Sequence, residues 1–283
     1  MNQYYLDLLG MGVLLQAPMP IQISQSVAPF LQESPPKTVD CTIDIQISET
    51  LPKPASQALW YGPECFEHRE GALWTFHSLK PNGNPFALTK ILEDGNIKIT
   101  VHPDFADTFS GSSGIFNRIG FENMLLQRKG LLLHASLIEY AHQGIAFTGP
   151  SGVGKSTQAA LWRNCFSANI INGDRAALRK TDAGWVAYGS PQAGTSGIYK
   201  NEKAPLSAIV VLEQAKENRL RRLSAAEAFC HIWPEISARR WDREFVSEAT
   251  ALCVELLEEI PVYLLECLPE ESAAQFLKKG LSL

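Results

Sequence analysis

The sequence lacks the cysteine spacing that marks zinc sites and disulfide-rich small proteins. Its six cysteines are scattered along the chain without any C-x-x-C pair, so neither kind of framework is expected. Cys165, Cys230 and Cys253 stand among apolar or helix-forming neighbours, a setting typical of buried free thiols. We therefore expect a protein of the reducing cytoplasm.

Long apolar runs and an excess of positive charge are also missing. No stretch reaches the roughly 18 to 20 apolar residues of a membrane-spanning helix, and the apolar start of the chain has no basic segment before it, which argues against a signal peptide. The net charge of −5 gives no general attraction to nucleic acid or to an anionic membrane. We expect a soluble globular protein that binds neither.

The first 120 residues have patterns typical of β-strands. Apolar and polar residues alternate over residues 41–47, which indicates a half-buried strand. Two further strands are predicted on either side of a turn at Asp94-Gly95-Asn96. The sequence therefore predicts a smaller β-rich domain over residues 1–120, for which we hypothesise a role in recognising the acceptor of a reaction.

Residues 121–283 are predicted to form an α/β domain, because strands and helices alternate there. One helix is expected over residues 113–129, ended by Gly130. Ser224 and Glu227 have the spacing of a capping box at the start of a later helix. The predicted strands cover residues 131–138, 144–148, 208–212 and 262–267, and the last helix stops near Gly280.

Residues 149–157 read GPSGVGKST and match the phosphate-loop pattern G-x-x-x-x-G-K-[ST] in full. Glycines let successive backbone N–H groups converge on phosphate oxygens, and the helix that follows adds its N-terminal dipole. An apolar strand before the loop and helix-forming residues after it supply the required context. The predicted nucleotide-binding residues are Gly149, Ser151, Gly152, Val153, Gly154, Lys155, Ser156 and Thr157.

Two of these residues have roles that follow from phosphate chemistry. Lys155 is expected to reach the β- and γ-phosphates of a nucleoside triphosphate, and the Ser156 hydroxyl to take a coordination position on Mg²⁺. ATP and Mg²⁺ are therefore the predicted cofactors. Two acids compete for the second magnesium position: Glu213, at the end of an apolar strand, and Asp174, in a polar turn after the apolar pair Ile170-Ile171.

The sequence resembles the HPr kinase/phosphorylase family, which belongs to the phosphoenolpyruvate carboxykinase-like P-loop proteins. The resemblance rests on His134 in an apolar strand, a phosphate loop that begins fifteen residues later, and the NGDR turn that contains Asp174. The resemblance is closer still to the HPr-kinase-like serine kinases encoded near peptide-modification genes, and it rests there on the sequence pattern of residues 188–228. It covers roughly residues 130–270.

The resemblance implies a mixed sheet with helices and an ATP-dependent kinase that phosphorylates a hydroxyl, with the serine of a peptide or protein as the favoured acceptor. It implies that Asp174 is the general base and a ligand of Mg²⁺; the alternative is a turn aspartate that bonds its own backbone. The resemblance also makes a homo-oligomer plausible. Two interpretations of His134 stay open: a histidine satisfied within the core, and a partner of the phosphates or of Asp174.

The chain departs from that family at two places. Gly173 occupies the position of the first acid of an Asp-Asp pair, and Gln192 falls where a glutamate is expected. These departures argue against HPr itself as the substrate. They leave two alternatives to a kinase: an ATPase or nucleotide-dependent switch that uses Glu213, and a non-catalytic nucleotide-binding module.

Overall fold

The computed structural model describes residues 1–81, 83–192 and 194–283. The chain divides into two compact units, Met1–Met124 and Leu125–Leu283. Each unit contains one large mixed sheet, and helices complete an α/β fold.

The sheet of the first unit has nine strands, which pair in the order β3-β1-β2-β4-β9-β8-β7-β6-β5. Strands β2 and β9 flank β4 and run parallel to it, and the other pairs are antiparallel. The strands are β1 (Asn2–Leu8), β2 (Met11–Ala17), β3 (Leu31–Gln32), β4 (Cys41–Ile47), β5 (Trp60–Tyr61), β6 (Cys65–Glu70), β7 (Ala72–Ser78), β8 (Pro85–Ile91) and β9 (Ile97–Val101).

The alternation that predicts a strand over residues 41–47 is found in β4, whose Cys41, Ile43 and Ile45 are buried. The predicted turn also joins β8 to β9 in antiparallel register, from Ile91 opposite Ile97 onwards.

The single helix predicted over residues 113–129 is wrong. The chain forms two short helices there, α1 (Ser112–Phe116) and α2 (Phe121–Leu126). Gly120 lies between them with φ +64°, a left-handed conformation that no helix can continue through. Of the three positions that apolar spacing predicts as buried, Ile115 and Ile119 are buried and Leu126 is half-buried; the spacing could not show the break between the two helices.

The sheet of the second unit has eight strands: seven pair in the order β11-β10-β13-β14-β15-β17-β16, and β12 pairs with β10. The strands are β10 (Gly130–Tyr140), β11 (Gln143–Thr148), β12 (Asn169–Asn172), β13 (Arg175–Thr181), β14 (Gly184–Tyr188), β15 (Lys203–Gln214), β16 (Arg219–Arg222) and β17 (Val262–Cys267). The helices are α3 (Lys155–Phe166), α4 (Ala225–Ile232), α5 (Arg243–Glu259) and α6 (Glu271–Gly280).

Helices cover this sheet in two apolar layers. Phe147 and Leu212 share one cluster with Trp162 of α3 and Leu277 of α6. The alternate strand residues, such as Val211, pack in a second cluster with α4 and α5. The near-continuous apolar run of β15 follows from this burial on both faces.

Two long strands of this sheet change partners along their length. Residues 130–134 of β10 pair with β13 and residues 137–139 pair with β12, while residues 135–140 pair with β11. In the same way β15 pairs first with β14 and then, in parallel, with β11 and β17. Because β11, β15 and β17 are parallel, their carboxyl ends lie at one edge of the sheet.

None of the helices in the described part of the chain is long and apolar enough to cross a membrane.

The predicted capping box is present at the start of α4. The Ser224 hydroxyl accepts from the backbone N–H of Glu227, and the Glu227 carboxylate accepts from the backbone N–H of Ser224.

Because both groups satisfy N–H donors that the helix leaves unpaired, we expect Ser224→Ala to lower the free energy of unfolding by about 1 kcal/mol. Urea unfolding would measure it. Ser224→Thr keeps a hydroxyl and is the control; an equal loss in both variants would contradict the assignment.

Candidate functional site

The segment that joins β11 to α3 is a glycine-rich loop with a strained backbone. Gly149 and Gly154 have φ of +133° and +118°, values that residues with a Cβ rarely adopt. A Cβ on Gly149 would also lie 3.2 Å from the carbonyl oxygen of Leu212 on β15. The loop therefore depends on glycine for both its conformation and its close approach to the neighbouring strand.

Lys155 begins α3, and its side chain turns back into the loop. Its Nζ donates to the carbonyl oxygens of Gly149 at 2.7 Å and Pro150 at 3.2 Å. Burial lowers the pKa of Lys155, while the nearby carboxylates of Glu235 and Asp174 act in the opposite direction. The loop thus holds a buried cation close to two acids.

His134 lies at the position where β10 changes partners. Its Cα is opposite Arg175 of β13, and the next residue, Ala135, is opposite Thr148 at the end of β11. The Thr148 hydroxyl donates to the His134 carbonyl at 2.9 Å. The start of the glycine-rich loop is therefore tied directly to the backbone of His134.

The turn between β12 and β13 is organised by Asn172, which is fully buried. Its side-chain oxygen accepts from the backbone N–H groups of Asp174 at 2.8 Å and Arg175 at 2.7 Å. Ser136 of β10 donates to the carbonyl of Gly173 at 2.9 Å. These bonds fix the backbone from which the Asp174 side chain extends.

Asp174, His134 and Glu235 form a continuous chain of contacts. His134 Nε2 lies 3.2 Å from Asp174 Oδ1, and His134 Nδ1 lies 3.0 Å from Glu235 Oε2. Arg175 Nε is 3.5 Å from the other oxygen of Asp174 and donates from Nη1 to Ser237. One imidazole thus lies between two carboxylates, with a guanidinium on the far side of Asp174.

A cleft of about 300 Å³ opens beside the glycine-rich loop. It is lined by Gly152, Gly154 and Thr157 from the loop and the start of α3, and by residues from the carboxyl ends of β15 and β17, such as Leu212 and Pro269. A cleft lined by loop glycines and by apolar residues suits a ligand that is charged at one end and apolar at the other.

The predicted site residues fall into three groups. Lys155, Asp174 and His134 are brought together, as described above. Ser151, Ser156 and Thr157 are exposed along the loop and the first turn of α3. Glu213 is exposed and lies on the face of β15 opposite Leu212, because side chains alternate along a strand. It therefore points away from the face that packs against α3.

Sequence reasoning missed Glu235 and Asn172. Glu235 is 101 residues from His134, so no local pattern could connect the two side chains. Asn172 carried a usable signal, since an asparagine before glycine often bonds the backbone two residues on.

No protein-family model and no curated protein matches this chain. Among solved structures the chain is similar to the HPr(Ser) kinase/phosphatase from Coxiella burnetii, with 11% sequence identity and a TM-score of 0.32. The similar part covers 52% of this chain and 86% of the other. This similarity is too weak to assign fold or function, so any function must be argued from the residues of the site itself.

Proposed function

We propose that the chain is an ATP- and Mg²⁺-dependent phosphotransferase that moves the γ-phosphate to a hydroxyl, with a serine of a peptide or protein as the acceptor. The observation that carries the proposal is the Asp174 carboxylate, which is held by His134 close enough to the buried Lys155 to act on its charge. A base beside a phosphate-binding cation is the arrangement that hydroxyl phosphorylation requires.

The nucleotide part of the proposal rests on the loop of residues 149–154 and on Lys155. The loop supplies backbone N–H groups and the start of α3 for the phosphates. Lys155 supplies the cation for the β- and γ-phosphates. We assign the rest of the nucleotide to the adjoining cleft of about 300 Å³, whose apolar residues suit a base.

The residues present fit a magnesium ion that is shared with the nucleotide. Ser156 and Asp174 offer the oxygen ligands that Mg²⁺ prefers, and Mg²⁺ usually takes its remaining ligands from phosphates and water. The described residues contain no cluster of three or more His, Cys, Asp or Glu side chains that could hold a metal on their own. When bound, the ion would neutralise charge on the phosphates.

In the proposed step the acceptor oxygen bonds to the γ-phosphorus while the bond from that phosphorus to the β,γ-bridging oxygen breaks. Asp174 takes the proton of the hydroxyl, and ADP leaves with the electrons of the broken bond. Arg175, 3.5 Å from Asp174, lies where it can help to hold the carboxylate in place. Lys155 stabilises the charge that develops on the transferring group.

The two alternatives make different demands on the same residues. A switch or ATPase built on Glu213 needs that carboxylate at the phosphates, but Glu213 is exposed on the face of β15 opposite the α3 side. A non-catalytic module needs the loop alone and gives no reason for Asp174 and His134 to be in contact. The kinase hypothesis accounts for both features.

We expect Asp174→Asn to bind ATP with near wild-type affinity and to lose about 10²- to 10⁴-fold in kcat, because the amide keeps an oxygen for Mg²⁺ but cannot take the proton of the hydroxyl. Lys155→Ala should lose both ATP affinity and transfer. Calorimetry measures binding, and mass spectrometry follows phosphate on free serine, sugars and serine-containing peptides. Asp182→Asn and Lys216→Ala, at exposed positions, are the matched controls. Bound ATP with no modified acceptor and a wild-type-like Asp174→Asn would instead indicate a sensor or scaffold.

A second prediction tests the placement of Asp174 without changing its chemistry. A Cβ on Gly194 would lie 2.7 Å from Asp174 Cγ, so Gly194→Ala should displace the carboxylate. Gly197 has a similar φ, +63° against +53°, but nothing lies within 4 Å of its Cβ position. We expect Gly194→Ala to lower kcat about tenfold or more, and Gly197→Ala to show only the shared backbone strain. Equal kcat values in the two variants would contradict a base at Asp174.

A further inference from the structure

Glu235 is the least exposed of the three side chains in the Asp174–His134–Glu235 chain. Its side chain is 14% exposed, against 22% for His134 and 28% for Asp174. A carboxylate loses hydration on burial and is stable there only when it accepts strong hydrogen bonds. Its contact with His134 Nδ1, at 3.0 Å, supplies such a bond.

The backbone around Glu235 is fixed to the strand that carries His134. Ile236 forms an antiparallel bridge with Leu133, and the N–H of Ser237 donates to the Leu132 carbonyl at 2.8 Å. Arg240 Nη2 donates to the Trp233 carbonyl at 2.9 Å, on the other side of the turn. Glu235 is therefore held by a short segment that is braced on both sides.

The hydrogen-bonding capacity of the groups determines what Glu235 does to the ring. An ionised carboxylate can only accept, so the bond to Glu235 requires a proton on His134 Nδ1. The partner of one ring nitrogen fixes both the ring orientation and the role of the other nitrogen. Here that other nitrogen, Nε2, faces Asp174, and by the same rule it must carry a proton to bond that carboxylate.

We propose that Glu235 is a positioning residue: by accepting the Nδ1 proton of His134, it orients the imidazole that holds the catalytic carboxylate of Asp174. The inference rests on the proposed function for its kinetic consequence. The arrangement of the ring itself can be measured without any reaction. Glu235 thus supplies a second carboxylate to the site from a segment far away in sequence.

The test compares Glu235→Leu, which removes the acceptor, with Glu235→Gln, which keeps an amide oxygen for Nδ1. We expect kcat to fall about tenfold to a hundredfold in Glu235→Leu and by only about threefold in Glu235→Gln. The KM for ATP should shift equally in both, because each variant removes the same negative charge near Lys155. Glu258→Leu and Glu258→Gln, on the exposed side of α5, give the matched controls.

Nitrogen-15 NMR of the His134 ring in the nucleotide-free protein provides the second measurement. We expect a protonated Nδ1 in the wild type and in Glu235→Gln, and loss of the Nδ1 proton in Glu235→Leu, where only Nε2 keeps a carboxylate partner. A wild-type ring without a proton on Nδ1 would overturn the proposal, as would wild-type kcat in Glu235→Leu.

The two measurements separate failure of this inference from failure of the proposed function. If the wild type phosphorylates no acceptor, the kinase hypothesis fails, while the ring spectra still decide whether Glu235 orients His134. If Glu235→Leu does not fold, the wild-type spectrum decides, together with a loss of kcat in Glu235→Gln that exceeds the loss in Glu258→Gln.

Discussion

The candidate site depends on one constraint, the change of partner along β10. Residues up to His134 pair with β13, residues from Ala135 pair with β11, and residues 137–139 also pair with β12, so the turn between β12 and β13 and the end of β11 meet β10 at a single peptide bond. The Asp174 carbonyl accepts from the N–H of Ala135 at 2.9 Å, and the Thr148 hydroxyl donates to the carbonyl of His134. The turn that carries the acid and the loop that follows β11 are therefore anchored to the two sides of one peptide bond. Neither can move without breaking hydrogen bonds in the interior of the sheet.

Electrostatics explain why the charged side chains gather at this point. A buried ammonium is unfavourable, and burial is the main cause of the lowered pKa of Lys155. The carboxylates of Glu235 and Asp174 offset that effect, whereas Arg175 adds to it. Removing one member would leave another charge poorly compensated, which is costly in a low-dielectric setting. The cluster is thus a mutually dependent set, and a bound polyphosphate would add negative charge next to its one buried lysine.

Local patterns predicted those parts of the structure that local physics determines. The alternation in β4, the apolar run of β17 over Val262–Cys267 and the capping box at Ser224 each concern residues that are close in sequence. The failures have a different origin. The break at Gly120 depends on a left-handed backbone that apolar spacing does not report. Glu235 reaches His134 only because the bridge between Ile236 and Leu133 aligns two distant segments. The family resemblance could therefore suggest Asp174 and His134 as partners, but nothing in the sequence suggested the third residue.

The geometry of Asp174 limits how a hydroxyl acceptor can approach. One carboxylate oxygen faces His134 Nε2 and the other faces Arg175 Nε, so an acceptor must use the remaining lone pairs on the exposed side of the group. Gly194 lies against the same carboxylate, where a Cβ would be 2.7 Å from Cγ. The side chain of Asp174 is therefore restricted by His134, Arg175 and Gly194, and its backbone by Asn172. A base restricted in this way needs little reorganisation when it accepts a proton, because its orientation is set by folding and not by the substrate.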